Sequence, residues 1–204
     1  MKLDLRIKNW YPLEFDQPIR QLTVDEYHRM IDADILHEGE RVELIDGVLI
    51  QMCAQKARYS AVTTQIAESF YPLVLQGKAK LRIQLPITLN DHTEPEPDLA
   101  VVKIRKDAYF DSHPTPEDVL LLIEVSDTTL GMDKSIKLPR YAASEIPEVW
   151  IINFVSNCIE VYREPIKLPD GTPIYQKQTD LVKGKVLSPQ AIPSVTIAVD
   201  EVLI

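Results

Sequence analysis

The sequence predicts an α/β domain in which a mixed sheet is flanked by helices and carries extra β-hairpins. Three observations lead there. Short aliphatic runs at 99–102 and 119–123 are bounded by proline and polar residues, the pattern of strands covered on both faces. Residues 58–76 repeat apolar side chains at Val62, Ile66, Phe70, Leu73 and Val74, the spacing of one helix face. A helical stretch within 130–144 separates strand 119–126 from strand 148–153, and such a crossover makes those two strands parallel with a right-handed connection.

The elements follow in order. Residues 1–22, mixed and proline-containing, are expected to form an N-terminal arm, and 23–204 a single domain. Thr23-Val-Asp-Glu26 is a capping box that opens a short helix through about Ile31. Residues 41–52 read as a hairpin turning at Asp46-Gly47, a pair that tolerates positive φ at both central positions. Pro72 falls late in the long helix, where a kink or early stop is expected. Strands are expected at 80–89 and 98–104, followed by a loop rich in Asp, His and Pro through about Asp118. After strand 148–153, Cys158 to Tyr162 pairs as a hairpin. A turn at Asp170-Gly171 and short strands complete the chain.

With 204 residues the chain is long enough to bury a substantial core, and no stretch approaches the ~20 apolar residues of a membrane span. The charged start, Met1-Lys-Leu-Asp-Leu-Arg-Ile-Lys8, is unlike a secretory signal, and Cys53 and Cys158 lack Cys-x-x-Cys spacing. A reducing cytoplasmic setting is the corresponding expectation. The formal net charge of −9 argues against tight nucleic-acid binding through bulk electrostatics. The basic groups at Lys103, Arg105 and Lys106 and at Lys134, Lys137 and Arg140 read as solvated faces.

Two carboxylates carry the functional argument. Asp98 follows Pro97 at the start of one aliphatic run, and Glu124 closes the other. Carboxylates at the ends of buried strands are costly unless compensated. Two that converge from adjacent strands suit a hard divalent cation. Strand alternation puts Glu124 and Ser126 on one face and Ile123 and Val125 on the other. Asp133, Lys137 and Tyr141 recur at intervals of four along one helix side, and Lys137 is the candidate for a positive donor. The histidines show no His-x-x-x-His or His-x-Glu spacing, which disfavours zinc chemistry, and without a Gly-x-Ser-x-Gly elbow or phosphate-binding glycine loop serine-hydrolase and nucleotide-hydrolase readings are poor.

Pro97-Asp98 followed by Glu124-Val-Ser126 resembles the PD-(D/E)XK nuclease pattern with its last lysine displaced. With Glu43-Leu-Ile-Asp-Gly47, the Asp133, Lys137 and Tyr141 series and Pro147-Glu-Val-Trp150, the chain is similar to the bacterial Uma-type family, classed as restriction endonucleases. The likeness runs from about Thr23 to Ile197. It implies a restriction-endonuclease-like core that hydrolyses DNA phosphodiesters with magnesium, for which manganese serves as surrogate. By position it makes Asp98 and Glu124 the metal ligands, Lys137 the relocated lysine, and Glu43 a further acidic site residue. Cutting both strands of a duplex calls for two sites, so a homodimer is the matching expectation. Ser126 stands where the superfamily has lysine, Arg58-Tyr59 where the family often has histidine, and Pro139 lies inside the helix that must present Lys137.

Other readings fit the same residues. Asp98 alone suits a strand-start residue after proline, and Glu43 suits a solvent-facing hairpin position. An i, i+4 ion pair explains Asp133 and Lys137 as well as catalysis does, and Tyr141 suits a core-edge residue packed on Leu138. At the level of function, two alternatives stand beside the DNA endonuclease. One is an inactive nucleic-acid-binding or interaction module on the same fold. The other is a metal-dependent phosphoesterase acting on RNA or small phosphate esters.

Overall fold

A six-stranded mixed sheet, in the order β3-β4-β5-β6-β7-β8, organises the chain in the computed structural model, which describes residues 20–37 and 39–203. The arm expected over 1–22 lies outside the described residues except for 20–22. Helix α1 spans Val24–Asp32 and starts on the reciprocal Thr23–Glu26 capping box. Strands β1 (Val42–Ile45) and β2 (Val48–Gln51) form the hairpin, with Asp46 and Gly47 both at positive φ (49° and 73°). Helix α2 (Ala57–Leu75) runs through Pro72 without stopping, so the expected early end does not occur. Proline in the last turn removes one hydrogen bond, while Phe70 and Leu73 keep the helix packed.

Strand β3 (Lys80–Ile83) is shorter than the expected 80–89 because Gln84 takes a positive φ of 50° and turns the chain out of the sheet. Strand β4 (Leu99–Val102) lies antiparallel to β5 (Val119–Ser126), which is parallel to β6 (Glu148–Asn153). The crossover between β5 and β6 comprises α3 (Leu130–Met132), a π-turn (Asp133–Lys137) and α4 (Leu138–Ala143). Beyond β6, the tail is more extensive than the short hairpin expected at Cys158 to Tyr162. Strand β7 (Cys158–Lys167) and β8 (Pro173–Leu181) complete the sheet. Strands β9 (Val186–Leu187) and β10 (Ile197–Ala198) pair separately before α5 (Val199–Val202).

Both sheet faces are covered, which is why β5 and β6 read as continuous apolar runs. On one face Leu99, Val101, Leu121, Ile123, Val125, Trp150 and Ile152 pack with Val62, Ile66 and Phe70 of α2. On the other, Ala100, Val102, Leu122, Val149 and Ile151 pack with Tyr141 and Ile146. Full burial of each large aliphatic side chain contributes about 1.5–3 kcal/mol before entropy is counted. Against these apolar faces, the few carboxylates at the strand ends stand out. Among the described residues, no helix is long and apolar enough to cross a membrane.

Candidate functional site

Register brings the two carboxylates together. Leu99 pairs with Ile123 and Ala100 with Leu122, so Asp98, just before β4, stands beside the Glu124–Val125 end of β5. The backbone N–H of Val125 donates to Asp98 Oδ2 at 2.6 Å. Asp98 Oδ1 accepts the hydroxyl of Tyr59, which in turn accepts from Gln84 Nε2 at 2.8 Å. Strand alternation turns Glu124 and Ser126 away from α2, toward the crossover helices. There Tyr141 donates its hydroxyl to Glu124 Oε1 at 2.6 Å, and Ser126 donates to Asp133 Oδ2 at 2.7 Å.

Lys137 enters from the crossover. Its Nζ stands 3.0 Å from Glu43 Oε2 and 3.5 Å from Glu124 Oε1, and donates to the carbonyl oxygen of Glu96 at 3.3 Å. A solvated-face reading of the Lys134, Lys137 and Arg140 group therefore fails for Lys137, which is buried. Nor does Lys137 pair with Asp133 among the described residues, as the i, i+4 reading had it; Asp133 bonds Ser126 instead. The two residues bound a π-turn, closed by the Leu138 N–H on the carbonyl of Asp133 five residues back. Pro139 offers no N–H and its ring crowds the preceding turn, and a widened turn accommodates both effects.

Glu43 reaches the cleft because all of β1 is buried, contrary to the solvent-facing reading. Its Oε2 also accepts the backbone N–H of Glu96 at 3.0 Å. Asp46 in the hairpin turn is held by Arg140 of α4, so hairpin and crossover are tied together. The turn also needs glycine. A Cβ on Gly47 would lie 2.4 Å from Cβ of Gln21 and 2.8 Å from the backbone.

These groups floor an open cleft of about 290 Å³. Its walls include Arg41, Lys56, Arg58, Tyr59, Glu96 and Phe154. Arg58 lies at the mouth, exposed, with its guanidinium 4.1 Å from the centre of the Phe154 ring. Lys56 pairs with Asp127 at 3.0 Å, and Arg41 with Glu96 at 3.6 Å.

The electrostatics are lopsided. Glu43, Asp98, Glu124 and Asp133 are buried around one buried ammonium, Lys137. Burial pushes Asp98 up to about 6, against the Tyr59 and Val125 hydrogen bonds and the charge of Lys137, which lower it. Burial likewise raises Glu124 well above the carboxylate range, with the Lys137 charge opposing and Asp133 and Asp98 adding to the rise. Asp133 is raised by burial too. Burial alone would favour neutral Lys137, but Glu124, Glu43, Asp133 and Asp98 outweigh it and hold the ammonium protonated. Oxygen donors with surplus negative charge suit a hard divalent cation. The Oε2 of Glu124 takes no hydrogen bond among the described residues, which leaves a donor available.

The Uma2 family model, described as "Putative restriction endonuclease", matches residues 24–200. The chain belongs to the Uma2 family. A crystal structure of "a putative nuclease belonging to DUF820", from Anabaena variabilis, superposes with a TM-score of 0.66 at 18% identity. The superposition covers 91% of this chain and 98% of that one. No curated protein matches the sequence. The restriction-endonuclease-like fold expected from the sequence is thus the fold found, and membership of the Uma2 family supports a nuclease-like function. Asp98, Glu124, Lys137 and Glu43, singled out in the sequence, meet in one cleft. Tyr59, Tyr141 and Asp133 had not been assigned to the site. For Tyr141 and Asp133 the spacing by four from Lys137 was the available signal, and Tyr141 is fully buried on Glu124 rather than at a core edge.

Proposed function

We propose that this chain is a metal-dependent endonuclease that hydrolyses DNA phosphodiester bonds in the cleft floored by Asp98, Glu124 and Lys137. The observation that carries the reading is the buried Lys137 ammonium set between Glu124 and Glu43, beside Asp98, on the floor of a cleft that opens to solvent. Asp98 and Glu124 would hold magnesium, and manganese in its place. When bound, that ion supplies charge for the phosphate oxygens and acidity for attacking water.

The protein's own groups do the rest. Lys137 donates to the attacking water or to a non-bridging phosphate oxygen, steadying the charge that builds as the new P–O bond forms and the bond to the leaving oxygen breaks. The water loses one proton and the leaving oxygen gains one. Tyr59 and Tyr141 hold the two carboxylates in place, and fixed ligand orientation is what such partners contribute. Arg58 and Lys56, near the mouth, offer cations to flanking phosphates. With a net charge of −9, contact depends on this local set together with the ion.

The test is cleavage of mixed-sequence DNA, single- and double-stranded, with manganese or magnesium, against RNA and mononucleotide esters as competitors. The expected result is DNA cleavage that needs the ion and is lost in Asp98→Ala. Ion binding without cleavage of any substrate would instead establish an inactive binding module. Preferential cleavage of RNA or small esters would move the substrate class.

A further inference from the structure

Outside the cleft, three residues distant in sequence converge. His28 of α1, Glu94 from the segment before β4 and His113 from the loop before β5 place one ligand atom each within 4.8 Å of one another. None of them lines the cleft. Glu94 is 1% exposed and its position is fixed by reciprocal backbone bonds with Leu44 (2.7 and 3.4 Å). Its two oxygens are both oriented: Oε1 lies 2.6 Å from His28 Nε2, and Oε2 accepts the Thr88 hydroxyl at 2.6 Å. The two imidazole rings stand 5.7 Å apart and nearly perpendicular. The side chain of His28 is 41% exposed, so the cluster opens to solvent on one side.

We propose that His28, Glu94 and His113 form a second cation site, for a zinc-class ion, that clamps α1 and the loop before β5 onto the segment before β4. Two imidazoles and one carboxylate are a donor set of intermediate softness, suited to zinc and its first-row neighbours rather than to magnesium. A tetrahedral zinc holds its ligand atoms about 3.3 Å apart, so closure from the present spread needs only side-chain rotation. Thr88 plays the orienting part that outer partners play for a ligating carboxylate. Arg82 donates to His113 Nδ1 at 3.2 Å and also reaches the carbonyl of Pro86 at 3.4 Å. Ligation turns the His113 ring away from Arg82, and the guanidinium keeps the Pro86 carbonyl.

The plain alternative is a His28–Glu94 ion pair with His113 as a neighbour. Titration of zinc into chelator-treated protein, in excess magnesium to occupy the carboxylate cleft, separates the two. Binding of one zinc is expected in the wild type and in Asp98→Ala. It should be lost in His28→Ala and in His113→Ala, and weakened about 10–100-fold in Thr88→Val. Cobalt added to the wild type should give the visible bands of a nitrogen-ligated ion, a readout that survives even if a histidine variant fails to fold. Zinc binding unchanged in both histidine variants, or no zinc or cobalt binding to the wild type, overturns the site.

Discussion

Lys137 Nζ lies 3.5 Å from Glu124 Oε1, although the lysine comes from a π-turn and the glutamate from the middle of the sheet. The sheet position expected to hold the superfamily's lysine is Ser126, which is fully buried and bonded to Asp133. Positive charge thus arrives in the cleft from a different element. Lys137→Met leaves the surrounding carboxylates without their buried cation and should cost about 3–5 kcal/mol of stability, as removal of one partner from buried pairs does. Urea unfolding measures this, and added manganese should recover part of the loss in the variant. Single-turnover cleavage by the folded variant should fall by about 10²–10³, the loss typical for one donor to a developing oxyanion.

Ion binding should depend on pH through the same carboxylates. Asp98 titrates at about 6 in the folded protein and Glu124 is also raised, so an ion must displace protons below that range. Affinity should rise with pH, by about tenfold per unit for each proton displaced, and level off once both groups are ionised. The stability consequence has the opposite sign in the ion-free protein. Asp98 binds its proton more tightly folded than unfolded, so its contribution is fully present below the ordinary aspartate value. That contribution is lost as pH rises through about 6, on the order of 3 kcal/mol. The rise in Tm on adding manganese should therefore be larger at about pH 8 than at about pH 5.

Tyr141→Phe removes only the hydroxyl that Glu124 accepts. Lys137 stays on the same oxygen, and the buried ring keeps its packing between α4 and the sheet. Manganese affinity should fall about 10–100-fold, the effect of losing an orienting partner, while the fold persists. Calorimetry together with circular dichroism reads both quantities. An unchanged affinity would show that Glu124 needs no such support.

Gly47→Ala tests how the hairpin delivers Glu43. The new Cβ meets Gln21 at 2.4 Å and the backbone holds φ at +73°, so both contact and conformation oppose it. A stability loss of at least about 1 kcal/mol is expected by thermal unfolding. Glu43 should lose its hold on Lys137, and cleavage should drop with it.

The parts of the fold that were legible are those fixed locally. Strands β5 and β6 have the limits read from the sequence, because each is built on an aliphatic run that must be covered on both faces. The Thr23 capping box and the Asp46-Gly47 turn were equally plain, each being a backbone requirement met by a particular side chain. The convergence of Asp98 and Glu124 followed from strand order. What could not be read depended on distant partners. Tyr141 resembles any aromatic on a buried helix face until Glu124 is placed beside it. Asp133 and Lys137 have the spacing of an ion pair until Ser126 is placed beside the one and Glu43 beside the other. His28 and Glu94 are 66 positions apart and carry no local spacing that marks a ligand.

Calorimetric titration of manganese into the folded protein, with the Asp98→Ala/Glu124→Ala double variant alongside, tests the central claim most directly. It needs no knowledge of the target sequence. The account predicts binding in the wild type that disappears in a double variant whose circular dichroism is unchanged. Equal binding in both proteins, or none in the wild type with or without DNA present, would contradict it.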